Sequence, residues 1–324
     1  MFRSTGKRKL RTGNSPAGRG TCPSPRRVDT SGTGRLDSAG PRSTIRARES
    51  GRPAIVQTST IALRGVTKRF PTPDGATFTA VEDISFAVER GAFVYIVGPS
   101  GCGKSTILGV VSGLLPLTAG EVLVDGEPVA GINPRLGYLF QRDALLPWKT
   151  VRENLALPLV FRGVPRPEGL RRAEAWIHRV GLADFQAYYP HQLSGGMRKR
   201  VSLAMTMVYD PQIVLMDEPF SALDVQTRNL MENEVLEIWA QTGKTILFIT
   251  HDLEEAIALS DRVTVLTAAP GRVKASYPIT LGRPRQVTEV RFHPAFTGLY
   301  ETIWKDLKDE VHASYERSKR GPGG

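Results

Sequence analysis

Apolar and polar positions alternate through Ile84, Phe86 and Val88, the period-two pattern of a strand with one face buried. The preceding stretch TIALRGV at 60–66 reads the same way, so ordered sequence is expected from near Ile61. The run FVYIV at 93–97 is apolar at every position, which suits a strand covered on both faces. It stops at Gly98. Beyond Gly103 the period lengthens, and Ile107, Val110, Val111 and Leu114 fall on one helical stripe closed by glycine and proline over 113–116. Strand, glycine loop and helix in that order form half of a parallel-sheet unit.

From about 142 to 195 the pattern changes, with several prolines and two helical stretches at 152–160 and 170–180. An inserted helical subdomain is expected there. Two further buried-strand runs follow at 213–216 and 246–249, with a helical segment over 225–239 between them. A last helix is expected from Ala295 to about Val311, because Phe296, Leu299, Tyr300, Ile303 and Leu307 share one face. The chain shows no internal repeat and no second glycine loop of the 98–105 kind.

A net charge of +11 suggests a nucleic-acid or membrane surface until the charge is located. Residues 1–55 hold thirteen Lys and Arg against Asp29, Asp37 and Glu49, while the remainder is nearly balanced, thirty basic against twenty-nine acidic. That first stretch is rich in Arg, Ser, Gly, Pro and Thr and has too few large apolar residues to offset the entropy of ordering it. A disordered basic extension is expected over 1–55. An over-long reading frame, a basic arm for anionic lipid or nucleic acid, and an organellar transit peptide stand as its alternative meanings. No apolar stretch of the length a secretory signal needs follows the early charges. The apolar peak at 105–120 contains Ser, Thr, Gly and Pro and falls short of the roughly 18 to 20 apolar residues of a membrane span. Cys22 and Cys102 suggest no structural disulfide, and a reducing cytoplasm is the natural compartment.

Gly98-Pro99-Ser100-Gly101-Cys102-Gly103-Lys104-Ser105 matches the phosphate-loop pattern G-x-x-x-x-G-K-[ST], between an expected strand and an expected helix. Such a loop turns several backbone N–H groups toward one anion at the positive end of a helix. Lys104 is expected to reach the β- and γ-phosphates of a nucleotide and the Ser105 hydroxyl to ligate Mg²⁺, with Thr106 next in the first turn. Cys102, in the same loop, is expected to react with alkylating reagents. The 213–216 strand ends in Asp217 and Glu218, placing Asp217 to hold the Mg²⁺ shell and Glu218 to polarise an attacking water. Ser194 reads as a helix N-cap before Gly195 and Gly196, with Val201, Ala204, Met205 and Val208 as the buried stripe. This second anion-seeking terminus either shares one phosphate with the first or serves a different molecule. His251 by itself reads as the neighbour of a D-x-x-E cap at 252–255.

Taken in order, these segments resemble the ABC ATPases. The phosphate loop is followed by Gln141 in LFQRDALLPWKTVREN, the signature LSGGM at 193–197, IVLMDEP with Asp217 and Glu218, SALD ending at Asp224, and ITHD with His251. The likeness spans roughly residues 60–270. It implies an α/β P-loop NTPase of the ABC type, with a mainly parallel core sheet, an antiparallel β subdomain and the inserted helical subdomain. The ATPase domain is expected over 56–282 and a C-terminal helical tail over 283–324. It also implies a head-to-tail homodimer, or a pair with another ATPase subunit, with ATP and Mg²⁺ between the phosphate loop of one subunit and Ser194, Gly195 and Gly196 of the other. By the same resemblance Gln141 couples the Mg²⁺ site to a membrane subunit, His251 contacts the γ-phosphate and the attacking water, and Asp224 lies at the dimer interface. Phe70 stacks on adenine, with Phe78 as its rival. The signature departs from the family pattern at Met197, where Gln is usual.

Three stretches resemble the ATPases of nitrate, sulfonate and taurine importers: LFQRDALLPWKTVREN, LSGGMRKRVSLAMTMVYDP with DEPFSALDVQTR, and APGRV followed by FHPAFTGLYETIWKDL. The resemblance implies a peripheral subunit on the cytoplasmic face of the cell membrane, partnered by transmembrane permease subunits and a periplasmic or extracellular solute-binding protein, with no nucleic acid. The alternative is a soluble ABC ATPase acting on ribosomes or nucleic acid; such proteins usually carry two cassettes or a long coiled coil, and this chain has neither.

Overall fold

The computed structural model of the chain describes residues 59–319; the extension expected over 1–55 lies outside them. β1 (Ser59–Pro71) and β2 (Thr77–Glu89) form a long antiparallel pair, followed by β3 (Phe93–Val97) and α1 (Lys104–Val111). β4 (Ala119–Val124), β5 (Glu127–Pro128) and β6 (Leu136–Leu139) lead into α2 (Val151–Phe161), α3 (Arg166–Arg179) and α4 (Gly195–Met207). Then come β7 (Ile213–Asp217), α5 (Val225–Thr242), β8 (Thr245–Thr250), α6 (Leu253–Leu259), β9 (Arg262–Leu266) and β10 (Val273–Pro278). α7 (Val287–Val290) and α8 (Pro294–Lys319) end the described chain.

The strands make two sheets. One is antiparallel, in the order β2-β1-β4-β5, and the other runs β10-β9-β3-β8-β7-β6, parallel throughout except for β10 against β9. The apolar runs sit at its centre, and their alternation explains why they lack polar residues. Phe93, Tyr95 and Val97 of β3 face one core with Phe248 of β8 and Met216 of β7, while Val94 and Ile96 face the other with Leu247, Ile249 and Leu215. A central strand covered on both faces has no position where a polar side chain can reach water. Each such buried side chain contributes about 1.5–3 kcal/mol, and the stacked Tyr95 and Phe248 rings, 4.3 Å apart, add to it.

The helical insertion forms its own small core, in which Val151, Leu155 and Ala156 of α2 meet Ala173 and Ile177 of α3 and Val201 and Ala204 of α4. A capping box starts α2, with Thr150 accepting from Glu153 N and Glu153 accepting from Thr150 N. Val201 and Ala204 of α4 and Val208 at its C-cap are buried as expected, but Met205 is only half-buried and Leu203 and Met207 take its place inside. The stripe predicted for α1 likewise runs one residue too far. The helix stops at Val111, Gly113 turns with φ 76 where a Cβ would lie 1.8 Å from the Gly131 carbonyl oxygen, and Leu114 is exposed.

α8 is longer than its apolar stripe predicts. Phe296, Ile303 and Leu307 enter the main core, and the helix then runs on to Lys319. Its later turns are held by polar contacts. Glu310 accepts from Ala268 N at 2.8 Å and from Lys274 Nζ at 2.8 Å, Tyr277 Oη donates to Asp306, and Ser314 Oγ donates to Ser100 O at 3.3 Å. Between β10 and α7, buried Arg285 donates to the carbonyls of Ala258, Ser260 and Leu281, satisfying the C-terminal end of α6.

Candidate functional site

The loop between β3 and α1 is shaped by its glycines. Gly103 sits at the N-cap of α1 in the left-handed region with φ 92, and a Cβ there would lie 2.4 Å from Val81 Cγ1. Lys104 opens the helix, only 6% exposed, with Nζ donating to Gly98 O at 2.9 Å and Pro99 O at 3.2 Å. The ammonium is thus folded back over the loop at its mouth. Cys102 corrects the sequence expectation. It is 1% exposed, its Sγ packs toward Gly98, and burial pushes its thiol pKa up, so it is not an open, reactive thiol.

β7 lies two strands from β3 and delivers two carboxylates to the same end of the sheet. Ser105 Oγ donates to Asp217 Oδ1 at 3.0 Å and Tyr138 Oη donates to Oδ2 at 3.3 Å. Burial raises the Asp217 pKa, and these two hydrogen bonds oppose the shift. Glu218 follows with φ 40, a conformation strained for a residue with a side chain, and its N–H donates to Ile249 O at 3.0 Å. Its Oε1 lies 3.6 Å from Lys104 Nζ and its Oε2 lies 2.9 Å from His251 Nδ1. A carboxylate is therefore held between a buried ammonium and an imidazole.

Gln141 joins this cluster at one remove. Its Nε2 donates to Ser221 Oγ at 3.5 Å, and Ser221 Oγ donates to Glu218 O at 2.9 Å. Buried Lys199 of α4 holds the Gln141 segment by donating to Gln141 O at 2.6 Å, with Asp143 Oδ1 3.0 Å away. Among the described residues, Phe70, Asp224, Ser194, Gly195 and Gly196 make no hydrogen bond to the cluster. Ser194 caps α4 by accepting from Met197 N at 3.2 Å, Asp224 caps α5 by accepting from Thr227 N at 3.0 Å, and Phe70 pairs across strands with Phe78. Asp252 caps α6 and accepts from Glu254 N and Glu255 N, so half of the D-x-x-E pattern beside His251 forms; Asp252 N donates to Thr250 Oγ1 and not to Glu255. Sequence reading missed Tyr138, Lys199 and Ser221: Tyr138 stands in no pattern that marks it, and Lys199 and Ser221 lie inside the signature and SALD stretches without a role that the spacing assigns them.

Behind His251 lies a buried acidic group. Glu232 of α5 is 0% exposed and Glu255 of α6 is 4% exposed, close to the buried Tyr95 hydroxyl. Desolvation pushes the Glu232 carboxyl up to about 7, opposed by Arg291 at 3.8 Å and by Arg228 and reinforced by Asp252. Burial likewise drives Glu255 well above the usual range, reinforced by Glu232. A carboxyl with a raised folded pKa holds its proton more tightly folded than unfolded, so its contribution favours folding below about 4.5 and is lost as pH rises toward about 7. Glu232→Gln should therefore match the parent in stability near pH 4.5 and exceed it at pH 8, by on the order of 3 kcal/mol. Denaturant midpoints at the two pH values check this; a variant less stable than the parent at pH 8 contradicts it.

A glycine loop opening a helix beside a parallel sheet, with a serine hydroxyl on one β-strand carboxylate and a lysine and histidine on the next, defines a P-loop nucleotide hydrolase. A family profile described as ABC transporter matches residues 81–221. The chain is 46% identical over 238 residues to an uncharacterized ABC transporter ATP-binding protein of Methanocaldococcus jannaschii, covering 74% of this chain and 88% of that one. It is 37% identical to the taurine import ATP-binding protein TauB of Roseobacter denitrificans, covering 79% and 98%. Among solved structures, the dimeric post-hydrolysis state of an ATP-binding cassette bound to ADP and Pi aligns with a TM-score of 0.61 and 30% identity, over 68% of this chain and 100% of that one. This chain belongs to the ABC transporter ATP-binding family, and it is an ATPase.

Proposed function

We propose that the chain is the ATP-hydrolysing subunit of an importer for taurine or a related small solute such as a sulfonate or nitrate, working as a dimer beneath a separate permease. The observation that carries the catalytic part is the Glu218 carboxylate set between Lys104 Nζ and His251 Nδ1. In this reading Glu218 is the general base for the attacking water, His251 contacts the γ-phosphate, and Lys104 neutralises the terminal phosphates. Ser105, Asp217 and Gln141 hold Mg²⁺; the oxygen donors Ser105 Oγ and the Asp217 carboxylate, already within 3.0 Å of one another, are the hard ligands that ion takes. The N–H groups of 98–106 cradle the phosphates and Phe70 stacks on the base. Ser194, Gly195 and Gly196 serve the nucleotide of a second subunit, with Asp224 at the interface. Two observations support the dimer: among the described residues the Ser194 and Asp224 side chains make no hydrogen bond to the Lys104–Glu218 cluster and instead cap their own helices, and a similar cassette is a dimer. The solute rests on the relatives named as taurine import proteins, at 37–42% identity.

Among the described residues no helix is long and apolar enough to cross a membrane, so the reading requires a partner that does. Purification from native membranes should bring down a membrane-spanning permease, and deleting the gene should abolish uptake of labelled taurine or of a related sulfonate. Recovery of the chain on ribosomes or nucleic acid, with uptake unchanged, would overturn the importer.

A further inference from the structure

Asp224 caps α5, and Arg228 stands one turn further on. Its guanidinium reaches two separate turns. Nη2 donates to Leu223 O at 3.3 Å, inside the SALD segment, and Nη1 donates to Asp252 Oδ2 at 3.3 Å, immediately after His251. Asp252 is fixed from the other side as well, since its Oδ1 accepts from Glu254 N and Glu255 N at 2.9 and 3.2 Å. Arg228 also lines a cavity of about 10 Å³ shared with Glu218, Ser221, Thr250, His251 and Glu255. Its Nε is buried with no hydrogen-bond partner among the described residues, so Leu223 O and Asp252 Oδ2 are the acceptors that fix the guanidinium, beside the carboxyls of buried Glu232 and Glu255.

We propose that Arg228 is a positioning residue for ATP hydrolysis, tying the turn that carries Asp224 to the turn that carries His251. The inference rests on the reading of Glu218, His251 and Asp224 given above. A planar fork with several donors can bond acceptors on two turns at once, which a single ammonium cannot do with the same geometry. A shift of the SALD segment on docking at Asp224 is then passed through Leu223 O, Arg228 and Asp252 to the histidine. Small displacements of a catalytic group are costly, up to about 10²-fold in rate for about 1 Å.

The test is a double-mutant cycle on the full chain, with kcat and KM for MgATP measured by phosphate release. Arg228→Ala should lower kcat by about tenfold or more and leave KM within about twofold, and Arg228→Lys should recover only part of the rate. In a His251→Ala background, Arg228→Ala should cost less than about threefold, because the group it positions is already gone. An equal loss in both backgrounds, or full activity in Arg228→Ala, overturns the inference while leaving the Glu218–His251 reading intact. An unimpaired His251→Ala overturns both. Melting curves and MgATP affinity identify any misfolded variant, and Arg228→Lys and Arg228→Gln then carry the same cycle.

Discussion

Glu218→Gln should bind MgATP like the parent chain and hydrolyse it at least about 10²-fold more slowly. The substitution keeps the shape of the side chain and its place between Lys104 and His251, 3.6 and 2.9 Å from the two carboxylate oxygens. It removes the negative charge and, with it, the capacity to take a proton from water. Affinity should survive because the N–H groups of the 98–105 loop and Lys104 lie on α1 and the loop before it, not on β7. In the dimer proposed above each nucleotide is held by both subunits and bridges them until it is hydrolysed, so the variant should also accumulate as an ATP-bound dimer. Calorimetry, steady-state phosphate release and gel filtration with ATP measure the three outcomes. Turnover near that of the parent would remove Glu218 from the role of general base.

Lys104→Ala should lose both binding and turnover, which separates it from the first variant. The ammonium is almost fully enclosed and already gathers Gly98 O, Pro99 O and Glu218 around itself. Phosphate oxygens entering the loop meet a charge with nowhere else to go. A charge-assisted hydrogen bond of this kind contributes about 1.5–3 kcal/mol, or about tenfold to 10²-fold in Kd, and the loss of transition-state charge stabilisation multiplies it in kcat/KM. MgATP affinity unchanged in calorimetry would mean that the phosphates do not lie over 98–105.

Much of this fold is legible in the sequence because its core sheet is covered on both sides. FVYIV and the runs at 213–216 and 246–249 admit no polar side chain beyond the Tyr95 hydroxyl, and the structure places them side by side as β3, β7 and β8 in the order β3-β8-β7. The phosphate loop and the carboxylate pair announce themselves through residue types whose spacing the chemistry requires. The inserted helices are legible through their stripes. What escapes the sequence depends on contacts between distant segments. Leu114 fits the α1 stripe, yet the close approach of Gly131 turns the chain before it. Cys102 looks accessible in a glycine-rich loop, but packing over it leaves it buried. Lys199 stands in a signature helix as one of three successive basic residues, and only the fold shows it turned inward onto Gln141 O while Arg198 reaches Asp143. The helix α8 outruns its apolar stripe because Glu310 and Ser314 secure its later turns by hydrogen bonds that no periodicity records.

The backbone at Glu218 carries a lesson for anyone redesigning this chain. A side chain at φ 40 costs on the order of 1 kcal/mol or more, a strain that Gly or Asn would relieve. A procedure that ranks substitutions by backbone strain alone would select Glu218→Gly among its favourable changes, and in the role proposed for Glu218 the resulting protein would have lost its general base. With Glu218 as the general base proposed above, thermostabilisation of this scaffold has to hold position 218 fixed and look for its gains elsewhere, where stability and turnover do not compete.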